Sequence, residues 1–454
     1  MGLFMKKIIA AILALSMLMC LGCAGPSSDA DNADNANASV QTEQPQKGEK
    51  PAKLNKVAGV KRLSNGDYSG WATVRDNNPV SEDSTAAITA FAAKASAAVL
   101  SGNERNVNFS PFSLYFALSM AACGADGGTA EEMLGLLGAG EAKELAKQCG
   151  NIYRVMLSKP VEGKNELILA DSLWLSDSYQ GQKITYSEDF LKTCADEFYS
   201  EVYSADFSGT RTAEAMSKWI SNKTRGALKP SFEPNPEQFL SIINTLYLKD
   251  EWTDRFDSAS TAEDTFTKAD GSKVKCDFMN AVKSQGFHRG ENYTAASLSL
   301  KNYGSMTFIL PDEGVTTDEL LASGSIFSVT NGEATGYGMV TFKIPKFAFD
   351  SSFDLVEPLR SLGMERAFDM ENADFSNMCD IPAAISSIKQ DTHIAIDENG
   401  VVASAFTKID YCGACSAGMP QENADMILTR PFIYIISNNG MPLFVGVIAD
   451  PSIN

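Results

Sequence analysis

Histidine is nearly absent from this 454-residue chain. The two present, His288 and His393, lie far apart and in no close-spaced ligand motif, which leaves imidazole-based zinc chemistry without footing. Basic charge is also in deficit, with 38 Lys and Arg against 57 Asp and Glu and a net charge of −19. A phosphate-binding surface needs clustered cations, so a nucleic-acid partner is excluded; the acidity favours solubility and basic partners. Cysteines are few and scattered. Beyond the first two dozen residues there are seven, Cys123, Cys149, Cys194, Cys276, Cys379, Cys412 and Cys415, an odd set that is no disulfide framework. Only Cys412 and Cys415 have informative spacing, and two thiolates leave a zinc ion short of ligands. No metal and no cofactor is expected. No Ser, His and Asp set stands in a recognisable context, and an enzyme is the weakest of the readings. After the N-terminus no apolar run approaches the roughly 20 residues that cross a bilayer.

Residues 1–22 read as a secretory signal peptide: Lys6 and Lys7, an apolar run from Ile8 to about Leu21, then small residues. The end of that run, Cys20-Leu21-Gly22-Cys23-Ala24, resembles a bacterial lipobox. The expectation is acylation of Cys23 and a protein lipid-anchored to the membrane at the bacterial cell surface, in an extracellular setting. Residues 23–60 are mostly Asp, Asn, Ala, Gln, Lys and Pro with almost no large apolar side chain, so they build no core and read as a flexible tether.

From residue 61 to 454 no second linker interrupts the pattern, which predicts a single domain. Ser84 and Thr85 ahead of Ile88, Phe91, Ala95 and Val99 predict an amphipathic helix. Ser110 before Pro111 is an N-cap followed by proline at the first helical position. Thr129 and Glu132 read as a capping box opening a helix that ends near Gly138. Helices are predicted at 187–200 and 212–224, and strands at 167–175, 241–249, 303–310 and 340–349. Strands 431–437 and 442–448 flank Asn439-Gly440, a hairpin signal. Helices early and strands late predict an α+β fold on large antiparallel or mixed sheets.

The stretch from Gly400 to Arg430 is too long for an ordinary connection. Its first half alternates: Val401, Ala403, Ala405, Thr407 and Ile409 share one face of an extended chain, with Val402, Ser404, Phe406, Lys408 and Asp410 on the other. A solvent loop has no use for a strand's alternation. A segment that slots into an existing sheet does, with small residues leading; an edge strand or hairpin arm is the other reading.

Here the chain resembles the serpins, a family of serine protease inhibitors, across residues 81–452. Asn108 to Ser113, Gly124 to Thr129, Asn244 to Lys249 with Trp252 and Phe256, Leu310-Pro311-Asp312, and Ile344-Pro345-Lys346-Phe347 are similar to family motifs and keep their order. So do Ala373 to Ser376, Ile396 to Gly400, Arg430-Pro431-Phe432 and Leu443 to Gly446. The resemblance implies three β-sheets, eight or nine helices and an exposed reactive loop, in a monomer. A protease cleaves the loop, which inserts into the central sheet and carries the acylated enzyme with it. Carried over by position, Glu398, Gly400, Val401, Val402, Ala403, Ser404 and Ala405 form the hinge, and Glu398 pairs with Lys346 near Trp252 where the loop enters. Ser110, Ser113 and Asn244 form the polar cluster beneath the opening, with Gln390 where the family usually has histidine. Family spacing counted from Glu398 puts the scissile bond at Ala414–Cys415, provided the extra loop residues follow it; Tyr411, a chymotrypsin-like position, and Met419 are the alternatives. The small apolar Ala414 suits elastase- or subtilisin-like serine proteases. The alternative is a non-inhibitory serpin acting as a cell-surface binding module.

Overall fold

The computed structural model describes residues 61–64, 71–156, 165–331, 334–401 and 422–453. Among these are nine α-helices: α1 (Trp71–Asn77), α2 (Glu82–Leu100), α3 (Pro111–Ala122), α4 (Gly127–Leu137), α5 (Ala142–Met156), α6 (Glu188–Asp196), α7 (Thr210–Lys223), α8 (Thr317–Ser323) and α9 (Val356–Ser361). Helix α3 packs against α2, α4 and α5. Ser110 caps it by accepting from the Ser113 N–H, Pro111 opens it, and nearly every side chain from Pro111 to Ala122 is buried. A helix apolar all round is a core helix.

Seven strands form the first sheet in the order β1 (Lys61–Ser64), β6 (Glu201–Ser204), β3 (Glu166–Leu175), β7 (Leu240–Glu251), β15 (Gly400–Val401), β14 (Lys389–Ile396) and β13 (Phe347–Asp354). The second runs β16 (Ala424–Ile427), β12 (Gly336–Pro345), β9 (Lys273–Gly290), β10 (Tyr293–Ser299), β11 (Ser305–Pro311), β17 (Phe432–Asn438), β18 (Met441–Ile448) and β2 (Val107–Phe109), with β8 (Ala262–Thr267) beside β9. Partners change along β9: β8 and β12 flank its earlier part and β10 its end. This path therefore holds two sheets joined through one long strand, and the three-sheet α+β fold is present. A two-stranded ladder, β4 (Ser178–Tyr179) with β5 (Gln182–Lys183), stands apart.

Helix α3 touches both β7 and β18, lying between the two large sheets. The main core surrounds it, and a smaller one, with Trp174, Tyr203, Met216 and Trp219, lies under α7 on the other face of the first sheet.

Three local expectations change. Helix α4 begins earlier and is capped by Asp126; Thr129 is buried in its first turn and accepts from the Asp374 N–H. The capping box belongs instead to Thr316 and Glu319 at α8. The 340–349 run divides between β12 and β13, which belong to different sheets, with Lys346 at the crossing.

Candidate functional site

Strand β15 is two residues long, yet it is paired on both sides. Gly400 lies opposite Glu251 and Val401 opposite Asp250 on β7, while Val401 pairs with Ile396 on β14. Walls β7 and β14 thus stand two strand spacings apart there, about 9.6 Å. Among the described residues no other strand lies between them. A small cavity of about 30 Å³ continues beneath Val401, lined by Leu246 and Leu248 of one wall, Thr392 and Ile394 of the other, and Ile436 and Phe444 of the second sheet. Expected as part of an exposed loop, Gly400 and Val401 are in fact buried. Glycine is required by close approach: a Cβ there would come within 2.6 Å of Glu251 Cα and overlap the Asp250 carbonyl oxygen.

Elements on every side hold this entrance. Asp397 Oδ1 accepts from the backbone N–H groups of Asn399 (2.8 Å) and Gly400 (3.2 Å), turning β14 into β15. Trp252, almost wholly buried, donates Nε1–H to the Asp397 carbonyl (2.8 Å) and its backbone N–H to Asn399 (2.9 Å). Glu398 Oε1 accepts from Thr261 Oγ1 (2.8 Å) and Lys346 Nζ (3.2 Å). Burial pushes the Glu398 carboxyl up, but its own backbone N–H, Thr261 and Lys346 outweigh that and hold it below the usual value. Sequence reasoning missed Asp250, whose buried carboxylate accepts from the N–H groups of Asn302 and Tyr303, each at 2.8 Å. It bolts the end of β7 to the turn before β11.

A polar cluster lies lower between the walls. In the register set by Asp250, Val401 and Ile396, Asn244 on β7 stands level with Gln390 on β14. Gln390 accepts from the Ser110 N–H (2.8 Å) and donates to the Ser110 carbonyl (2.9 Å). Ser110 Oγ donates to the Leu443 carbonyl (2.8 Å), and Ser113 Oγ to Asn244 Oδ1. Asn244 Nδ2 then donates to Asp171 Oδ1 (2.7 Å) on β3. Asp171 is 1% exposed, and its Oδ2 has no hydrogen-bond partner. Burial pushes its carboxyl up to about 7, against the pull of the Asn244 bond and of Lys223. No sequence signal pointed to it.

Of the site residues expected from sequence, the fold brings together Glu398, Gly400, Val401, Trp252 and Lys346 at the entrance and Ser110, Ser113, Asn244 and Gln390 below it. Val402, Ala403, Ser404, Ala405, Ala414, Cys415 and Cys23 lie outside the described residues, as do Cys412 and the signal and tether.

A central sheet that already grips, between two of its strands, the first two residues of a long connection fits a protein class built for strand addition. The family model for serpin (serine protease inhibitor) matches residues 86–451, and the chain belongs to the serpin family. Serpin-ZXA of Oryza sativa subsp. japonica is 29% identical over 391 residues, covering 80% of this chain and 96% of the relative. Serpin-Z2A of Triticum aestivum is 30% identical over 373 residues, 76% of this chain and 90% of the relative. Among solved structures, the thermophilic serpin tengpin in its native state has a TM-score of 0.71 at 29% identity, covering 83% of this chain and 98% of tengpin. Latent tengpin has a TM-score of 0.69 at 27% identity, with 82% and 98% covered.

Proposed function

We propose that this chain is a suicide inhibitor of extracellular serine proteases of elastase- or subtilisin-like specificity. The protease's nucleophilic serine attacks the Ala414 carbonyl and becomes acylated by it as the Ala414–Cys415 bond breaks and Cys415 leaves as a free amine; the freed strand then zips in between β7 and β14 with the enzyme still attached. The observation that carries the reading is Gly400–Val401, already paired between β7 and β14 at the start of the long connection. Val401 packs into the main core, so the same face of an inserting strand carries Ala403, Ala405, Thr407 and Ile409 inward. Small residues pass first. Thr407 arrives level with Asn244 and Gln390, the one polar inward side chain reaching the polar cluster.

Membership of the family supports a protease as partner; the elastase-like preference rests on Ala414, and the anchored extracellular location on Cys23. The test is incubation with subtilisin and with pancreatic elastase, followed by boiling in detergent. A band at the summed mass of inhibitor and protease is expected. Loop cleavage with no such band would contradict inhibition and favour the binding-module alternative.

A further inference from the structure

Both walls of the slot are fastened to one turn of α3, and unequally. Two bonds to the main chain of Ser110 hold Gln390, whereas one hydroxyl, Ser113 Oγ, holds Asn244. For a strand to pass, one wall must slide over α3, and the wall with the weaker fastening gives way. That wall is β7. Its latch depends on which way the Asn244 amide points, and Asp171 sets this. A carboxylate only accepts, so Nδ2 turns to Asp171 and Oδ1 is left for Ser113. A protonated Asp171 can also donate, the amide then has two comparable orientations, and Ser113 loses its fixed acceptor.

We propose that Asp171 is a positioning residue for sheet opening: its carboxylate locks Asn244 onto Ser113, and taking up a proton frees the β7 wall, so a strand enters the slot faster below neutrality than above it. The inference rests on the insertion reading. The surroundings leave Asp171 as the cluster's titrating member. Gln390, Asn244, Ser110 and Ser113 carry no charge to change, and Cys149 of α5 and Cys194 of α6, both within its field, have thiols driven up by burial and stay neutral. Lys223 of α7 supplies positive charge that draws the carboxyl down, less strongly than burial drives it up. The buried, unpartnered Oδ2 takes the proton, and a half-turn of the carboxyl about its Cβ–Cγ bond then presents that O–H to Asn244.

A synthetic peptide with the sequence of residues 400–413, added to the intact full-length chain, reads slot opening without a protease. Its uptake rate is followed by native mass spectrometry from pH 5.5 to 8.5. The wild type should take it up at least fivefold faster at the acid end, with a midpoint near neutrality. Asp171→Asn, whose amide both donates and accepts, should be fast and flat. Ser113→Ala should also be flat, although Asp171 still titrates in it. His393, which borders the slot and is bonded to Asp350, remains in all three proteins, so any profile it causes survives both substitutions. A flat wild type, a steep profile persisting in Asp171→Asn, or no uptake at any pH overturns the proposal. Failure to trap a protease alongside pH-dependent uptake would instead sink the inhibitory reading alone.

Discussion

Asp171 is a carboxyl that the fold buries at a cost. Its value is about 7 against an ordinary 3.8, so the folded chain holds this proton more tightly than the unfolded chain does. The linkage has one sign: stability from this group is full below about pH 4, falls as pH rises to about 7 and is level beyond. The fall amounts to roughly 4 kcal/mol, at about 1.4 kcal/mol per pH unit of separation. Asp171→Asn removes it. Urea midpoints of variant and wild type should coincide near pH 4 and separate toward pH 8, with the variant the more stable. A constant difference at all pH values would show that the carboxyl does not titrate with folding.

At the scale of elements, a strand that enters between β7 and β14 must match their inner face. Ala403 is the second inward residue after Gly400, so Ala403→Arg drives a guanidinium between β7 and β14 with no partner. Burying an unpaired charge costs several kcal/mol. The variant should be cleaved at the wild-type rate but give mainly cleaved product and little detergent-stable complex; complex formation at wild-type yield would contradict insertion along this face. Part of this architecture was legible in the sequence. The C-terminal hairpin was, because Asn439 and Gly440 both take the positive φ that a two-residue turn demands. Lys346 and Glu398 were legible through resemblance alone, since their pairing joins segments 52 residues apart. Alternation could not divide β12 from β13: it reports which side chains share a face and is silent about which sheet owns them. Asp171 was hidden because it sits in an apolar strand and its partner, Asn244, is 73 residues away. The burial of Gly400 and Val401 was hidden too, because it depends on pairing with β7, far earlier in the chain.

Across the whole molecule, the insertion reading requires a fold that stops short of its most stable arrangement. About a dozen new ladder bonds, at about 0.5–1.5 kcal/mol each, would add on the order of 10 kcal/mol once the loop enters. The intact state would then be held by its barrier. At the other end of the chain, diacylation of Cys23 would place this trap at a membrane, each buried methylene adding about 0.8 kcal/mol. Cys23→Ser should move the protein from the detergent phase to the aqueous phase; unchanged partitioning would contradict the anchor. The most direct measurement of the central claim is thermal unfolding before and after a single cut in the loop between Phe406 and Gln421. Insertion requires the cut protein to melt higher than the intact one, by roughly 10 °C or more for a domain of this size. An unchanged or lower midpoint, as an ordinary nicked loop gives, would contradict it.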